Sequence, residues 1–129
     1  MTLAAITAGR VLAEALMLDT CTAVRPAAPS TNATTGSVTT SSTSLYSGKC
    51  KVQAGGLSSS TPEVSGRVAT VERPSVHVPV GAWTPMVGDV ITITAAQDAV
   101  MVGRLYRVAA IGLKSHATAL RLGVEEVTA

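Results

Sequence analysis

The two histidines are the residues with the clearest potential for catalysis or metal binding. His77 falls on the polar face of an alternating strand, and His116 falls in the turn-like segment Lys114–His116. A metal site needs roughly three or four donors around one point, and neither histidine has a Cys, Asp or Glu at ligand spacing. We therefore expect no metal ion, and we interpret both histidines as solvated or interface residues.

The other catalytic patterns fail on geometry or on missing partners. The sequence has no Gly-x-Ser-x-Gly elbow, and no acidic residue accompanies either histidine. Gly55-Gly56 lacks the lysine and the following helix of a phosphate-binding loop. Glu125 and Glu126 are adjacent on a predicted strand, so their carboxylates point to opposite faces. The sequence therefore predicts no catalytic residue, no cofactor and no enzymatic activity.

The basic residues are candidates for contacts with a partner. Ten basic against eight acidic residues give a net charge of +2, whereas a dedicated nucleic-acid binder shows a concentrated basic face. With one Trp, two Tyr and no Phe, stacking recognition of single strands is also disfavoured. We interpret the following residues as subunit or partner contacts, with weak contact to the DNA backbone as the alternative: Lys49, Lys51, Arg104, Arg107, His116 and Arg121.

Composition indicates one small domain with an aliphatic core. The chain has 129 residues, of which 47% are hydrophobic and 14% are charged, so it is too apolar to be disordered. Cys21 and Cys50 each lie in a strand-like run, and a secreted disulfide scaffold normally has more cysteines. We expect both to be free, buried thiols made in a cytoplasm.

An N-terminal helix is predicted over residues 3–17. Its apolar residues fall close to one stripe, which we expect to face the core: Leu3, Ile6, Leu12, Ala15 and Leu16. Arg10 and Glu14 interrupt this segment, whereas a membrane span needs about 20 apolar residues. No membrane association is expected.

Short strands dominate the rest of the chain. A first strand over 19–24 is expected to end at Arg25-Pro26, and Pro79 suggests that the strand over 76–80 is an edge or carries a bulge. Further strands are expected near 49–53, 67–72, 90–94, 104–111 and 117–124. Alternation places Cys50 and Val52 inward with both lysines outward, and in the last strand it gives an inward set (Thr118, Leu120, Leu122, Val124) and an outward set (Ala119, Arg121, Gly123).

This pattern predicts a mainly β protein. The expected fold is a small antiparallel β-barrel of six to seven strands, or a sandwich, with an N-terminal helix and one long polar loop. All 129 residues form a single domain, with the helix at 3–17, the loop at 26–44 and the barrel core at 45–127.

The predicted loop over 26–44 is the most unusual segment. It consists almost entirely of Ser, Thr, Ala and Pro and contains no charged residue. Such a segment cannot bury enough apolar surface to offset its ordering entropy. We therefore expect it to be mobile or to be ordered by a neighbouring subunit.

Several short motifs, taken in order, resemble a known family. They are Tyr46-Ser47-Gly48-Lys49-Cys50-Lys51-Val52, Val76-His77-Val78-Pro79-Val80, Gly88-Asp89-Val90-Ile91-Thr92-Ile93, Gly103-Arg104-Leu105-Tyr106-Arg107-Val108 and Lys114-Ser115-His116-Ala117-Thr118-Ala119-Leu120-Arg121-Leu122, followed by Val124-Glu125-Glu126-Val127. From residue 9 to residue 127 the chain resembles the head-to-tail stopper, or head-completion, proteins of long-tailed bacteriophages, especially those of actinobacteria.

The resemblance implies a place and a set of partners. It implies a homo-oligomeric ring, a hexamer, in the virion neck after assembly in the host cytoplasm. The implied partners are the portal-bound adaptor, the tail terminator or tail tube protein, and double-stranded DNA held without sequence specificity. The long loop would project into the channel and retain DNA through Ser30, Thr31, Asn32, Thr34, Thr35, Gly36, Ser37, Val38, Thr39 and Thr40.

Two alternatives stay open from the sequence. One is another neck or tail-completion ring, such as the adaptor or the tail terminator, although an adaptor is expected to be mostly helical. The other is a free β-barrel module that binds a ligand or peptide, which would need a concave apolar site.

Overall fold

In the computed structural model, six strands close into an antiparallel barrel with one helix on its outside. The structure describes residues 3–53, 63–64, 67–68, 74–113 and 115–127, with the backbone alone at 63–64 and 67–68. The elements in chain order are α1 (Leu3–Ala15), β1 (Asp19–Pro26), β2 (Ser30–Thr31), β3 (Val38–Thr39), β4 (Ser42–Gln53), β5 (Glu63–Val64), β6 (Arg67–Val68), β7 (Ser75–Val78), β8 (Val90–Ala95), a short 3-10 helix (Ala99–Met101), β9 (Leu105–Gly112) and β10 (Leu120–Val127).

The barrel order is β1-β4-β7-β10-β9-β8, and β8 pairs back to β1. Its interior is filled by alternate residues of these strands, as period-two patterning requires. The core consists mainly of aliphatic side chains: Cys21, Ala23, Cys50, Val76, Val78, Ile91, Ile93, Tyr106, Val108, Leu122 and Val124. Each fully buried Val, Ile or Leu contributes about 1.5–3 kcal/mol of transfer free energy. The predicted barrel is confirmed.

Most of the predicted strand faces are confirmed. Cys50 and Leu122 are fully buried, while Lys49 and Arg121 are exposed. Two residues are exceptions: Ala119 is buried although we expected it to face outward, and Thr118, expected to face inward, lies against α1 on the outside of the barrel. The reason is that β10 begins only at Leu120, so strand alternation does not govern Ala119.

Of the two proline predictions, the first is confirmed and the second is wrong. β1 ends at Pro26, and its ladder with β4 closes on the pair Pro26–Ser42. The strand before Pro79 is not an edge, because β7 lies between β4 and β10 and Pro79 follows its last residue. A proline just outside a strand removes no ladder hydrogen bond.

The segment that we expected to be mobile, or to be ordered by a neighbouring subunit, forms a β-hairpin within the chain. Beyond the β1–β4 ladder, Ala27 donates a backbone hydrogen bond to Ser41, and β2 pairs with β3. The conformational entropy lost on ordering this segment is small, because the β1–β4 ladder already holds its two ends at the separation of paired strands. We call residues 27–41 the arm.

The helix faces the barrel with a side that we did not predict. In α1 only Ile6 is buried, with Met17 just beyond it, while Leu3, Leu12, Ala15 and Leu16 are exposed. The helix packs on the outer surface of the barrel, where the residues that it meets are mostly polar, so its apolar stripe does not enter the core. The helix also ends at Ala15 rather than at residue 17.

Both cysteines are free and buried, as expected. The hydrogen bond with Cys21 and burial raise the pKa of the Cys50 thiol, so it is protonated at neutral pH. Three features named in the sequence analysis lie outside the described residues: Gly55-Gly56, Lys114 and the part of the predicted strand beyond Val68.

Candidate functional site

The arm brings all ten predicted channel-loop residues together on one exposed ribbon. Every residue of the arm is exposed, and none carries a charge. At about 3.3 Å per residue, the six residues from Ala27 to Asn32 reach at most about 20 Å beyond the barrel strands. The arm can therefore touch a partner at a distance from the barrel wall, and it does so through hydroxyl and amide groups.

The tip of the arm is a tight turn held by side chain to backbone hydrogen bonds. The Asn32 Oδ1 accepts from the backbone N–H of Thr34 at 2.9 Å, and the Gly36 N–H donates to the Asn32 carbonyl at 2.8 Å. Gly36 has a φ of 72°, which a side chain would make costly. These contacts are those of an Asx-turn, so the sequence itself encodes the reversal of the chain.

A buried carboxylate fixes the base of the arm. Asp89 is only 1% exposed and accepts two hydrogen bonds from Arg25, at 2.9 Å from Nε and 3.1 Å from Nη2. It also accepts from the Trp83 Nε1 at 3.2 Å and from the backbone N–H of Met86 at 2.9 Å. Arg25 comes immediately before the last residue of β1, so this cluster joins the root of the arm to the turn before β8.

The protonation of Asp89 follows from these contacts. Burial by itself raises the pKa of this carboxyl, but the hydrogen bonds from Arg25, Met86 and Trp83 outweigh it and hold the pKa below the usual value of 3.8. The carboxylate is therefore ionised at neutral pH, and its bidentate pair with Arg25 has the geometry that fixes a guanidinium in place.

An aromatic pair supports the same base. The rings of Tyr46 and Trp83 are stacked with centroids 5.5 Å apart, and the Tyr46 hydroxyl donates to the carbonyl of Lys49 at 2.8 Å. Burial raises the pKa of Tyr46 to about 12, so the phenol stays neutral and donates this bond. The stack links β4 to the segment before β8, which contains Asp89, the residue that accepts hydrogen bonds from Arg25.

Sequence reasoning did not predict the cluster of Arg25 and Asp89 at the root of the arm. Asp89 looked like a turn residue because it follows Gly88, and Arg25 looked like the residue that ends a strand before proline. Nothing local reveals that residues 64 positions apart form a pair. The one available signal was a carboxylate directly before the apolar strand over 90–94, where burial demands a partner.

The basic residues predicted as partner contacts do not form one surface. Three of them form ion pairs within the chain: Lys49 with Glu14 at 3.2 Å, Arg107 with Glu125 at 3.2 Å, and Arg104 with Glu126. His116 is exposed in a turn at a φ of 57°, apart from the others.

Lys51 and Arg121 are brought together, and they flank a third residue. His77 pairs in register with Lys51 on β4 and with Arg121 on β10. Burial, followed by the charges of Arg121 and Lys51, lowers the pKa of His77. The imidazole is therefore neutral at neutral pH and lies between two cations.

Among the described residues, no group of three His, Cys, Asp or Glu side chains lies close enough to hold a metal ion. Within the same described ranges, no helix is long and apolar enough to span a bilayer.

These features define the protein by its fold: a small antiparallel barrel with an outer helix and a projecting, uncharged arm. A family model matches residues 9–125, and the chain therefore belongs to the family of unknown function DUF6093. Comparison with curated proteins and with solved structures gave no match.

Proposed function

We propose that this protein is a structural subunit of a bacteriophage neck ring, of the head-to-tail stopper type, and not an enzyme. In this role the barrel forms the collar between the portal-bound adaptor and the tail. The arms point to the central channel and retain the packaged double-stranded DNA. The observation that carries the proposal is the arm itself: an ordered, fully exposed ribbon without a single charge, rooted in the barrel by Arg25 and Asp89.

The chemistry of the arm suits a gate better than a binding site. Each contact between a cation and a phosphate adds salt-dependent affinity for DNA, and a genome must later slide past the gate. A ribbon of Ser, Thr and Asn can occupy the channel by volume while holding phosphates weakly. The barrel-fixed root then keeps the ribbon directed at the channel.

The outer face of α1 supports assembly into a larger structure. The two charged residues of the helix, Arg10 and Glu14, face the barrel, where they bond to Ala117 and Lys49. The opposite side presents apolar side chains, including Val11 at 62% and Leu12 at 70% exposure. This reversed arrangement is costly for an isolated domain in water but suits a subunit whose helix packs against a neighbour.

The experiment that tests the gate shortens the arm in the phage that encodes the protein. Residues 28–40 are replaced by Asn-Gly, the dipeptide that best closes a two-residue hairpin. We expect heads to form and fill, and then to lose DNA before or during tail joining, measured as packaged DNA per particle. The matched control is the double substitution Thr34→Ser and Thr35→Ser, which keeps the length and the polarity of the arm.

Normal DNA retention in the shortened variant would show that the arm is not the gate. The alternatives predict other outcomes. Another ring protein of the neck or tail would localise elsewhere in a density map of the particle. A free binding module would remain monomeric in light scattering even beside portal and tail proteins.

A further inference from the structure

A groove lies between α1 and the outer surface of the barrel, and its two walls differ in character. It has a volume of about 190 Å³. The wall formed by the helix and the residues after it is apolar, with Ala13, Leu16 and Met17. The barrel wall carries Lys51, His77 and Arg121.

The strand register explains why these three polar residues are aligned. Lys51 and Arg121 are the direct cross-strand partners of His77, one on each side. Since neighbouring strands lie about 4.8 Å apart, the three side chains form a single row on one face. The row places two permanent positive charges and a neutral imidazole at the same surface.

No carboxylate of the described chain neutralises this row. All six acidic side chains that the structure describes are engaged elsewhere. Glu14, Asp89, Glu125 and Glu126 form the ion pairs given above, Asp19 accepts from the backbone N–H of Gln97, and Asp98 accepts from that of Val100. By contrast, neither Lys51 nor Arg121 forms an ion pair with a described carboxylate.

We infer that the groove receives a carboxylate side chain from an acidic segment of a partner protein. The carboxylate would lie between Lys51 and Arg121, where it can also accept a hydrogen bond from Gln53 or from the His77 ring. Its apolar neighbours in the segment would pack against Ala13 and Leu16.

The apolar wall favours a protein over a nucleic acid as the source of the anion. A phosphate backbone is met by an open basic stripe, whereas here the helix closes one side with aliphatic groups. A peptide segment supplies both a charge and apolar side chains, so it matches both walls. The groove shares no residue with the arm, so this inference and the proposed function can fail independently.

The test is a titration of the full-length, nitrogen-15-labelled protein with two matched peptides. The probe is acetyl-Leu-Asp-Leu-amide, and its control is acetyl-Leu-Asn-Leu-amide, which has the same shape without the charge. We expect the Asp peptide to shift the backbone amide signals of Lys51, His77 and Arg121. The Asn peptide should bind at least about fivefold more weakly.

Variants locate the site. Lys51→Gln and Arg121→Gln should each weaken binding of the Asp peptide by about two- to fivefold, the effect of one partly exposed ion pair. Arg107→Gln removes an exposed arginine of β9 outside the groove and should leave the affinity unchanged. Dispersed amide spectra for each variant establish that it is folded, and Arg121, being exposed, is the safer of the two test positions.

The inference is overturned by any of four results. The first is equal binding of the Asp and Asn peptides, and the second is an affinity that neither groove variant changes. The third is binding of inorganic phosphate or a DNA duplex at these residues while the Asp peptide is inert. The last is a concentration-dependent shift of the same signals without peptide, which would make a second copy of this chain the occupant.

Discussion

At the scale of single residues, Asp89 connects the sequence to the arm most directly. Among the described residues it is the only buried charged side chain, and its hydrogen-bond partners lie at the root of the arm or in the turn before β8. Breaking such a pair by removing one member leaves the other without its partner, and this costs more than the pair contributes when intact.

The first prediction concerns Asp89→Asn. Because the folded-state pKa of Asp89 lies below its ordinary value of 3.8, the carboxylate stabilises the fold above about pH 4. This contribution is lost as the pH falls through the folded-state value. The variant should be less stable than the wild type at pH 7 by about 1–2 kcal/mol, and the difference should shrink towards pH 2. Urea unfolding across this pH range measures it, and a constant difference would contradict the assignment.

The second prediction concerns Leu122, which is fully buried in the barrel. Leu122→Asp places a carboxylate without a partner in an aliphatic core, at a cost on the order of the whole stability, roughly 5 kcal/mol or more. The variant should lose its circular dichroism signal and its solubility. Leu113→Asp is the control, since Leu113 is 81% exposed and should tolerate the change. A folded Leu122→Asp protein would refute the face assignment of β10.

At the scale of elements, the arm and the helix are attached to the barrel in different ways. The arm extends a ladder that already exists, so its structure depends on β1 and β4 while the barrel depends little on it. The helix is held by its polar side, through Arg10 and Glu14, and by the close approach of Gly9. A Cβ at Gly9 would lie 2.9 Å from the Thr118 Cγ2, so this approach requires glycine.

The third prediction follows from the independence of the barrel. The variant in which Asn-Gly replaces residues 28–40 should keep the barrel folded, because the removed residues contribute nothing to the buried core. Its melting temperature should lie within a few degrees of the wild-type value, since shortening a connection changes the free energy of loop closure by only about 1 kcal/mol. Circular dichroism melting measures this. Unfolding of the variant would show that the arm stabilises the barrel.

These elements also show how far sequence reasoning reaches. The barrel strands were predictable because a closed sheet imposes alternation, and Val76, Val78, Leu122 and Val124 follow it. The hairpin beyond Pro26 was not predictable, since it depends on the ladder of β1 with β4 that supports it. The side of α1 that faces the barrel was not predictable either, because the rule that apolar residues face inward fails for a helix on the outside of a barrel.

For the candidate site, sequence composition identified the arm but not its structure. The absence of charge between residues 26 and 44 is visible in the sequence, and the structure confirms that these side chains are exposed wherever the arm extends. Its hairpin form and its fixation by Asp89 depend on contacts that no local pattern encodes. The cationic row was likewise invisible, because it depends on the register of three strands.

At the scale of the whole molecule, the proposed ring makes the outer helix face an interface. Val11 and Leu12 are neighbours on the exposed side of α1, and both are more than half exposed. Apolar surface of this kind at the centre of a contact stabilises assemblies, while charges are depleted there.

The fourth prediction is therefore an assembly defect in Leu12→Lys. Light scattering of the wild-type protein should give the mass of an oligomer, and the variant should shift it to the monomer with an unchanged circular dichroism spectrum. The lysine leaves the fold intact because Leu12 is 70% exposed. The control is Leu113→Lys, which changes an exposed leucine away from the helix. A wild-type protein that is monomeric at all concentrations would contradict a self-assembling ring.

The shared ladder of β1 and β4 has a mechanical consequence. The two strands that lead into the arm, β1 and β4, also form part of the barrel wall. Arg25 is bonded to Asp89 at the point where these strands extend beyond the barrel. The arm is thus anchored to the barrel at its root, and its two strands change register between the Ala27–Ser41 hydrogen bond and the Ser30–Thr39 pair. A sideways push on the tip would therefore displace the part of the arm beyond this register change, while the root stayed attached to the barrel wall.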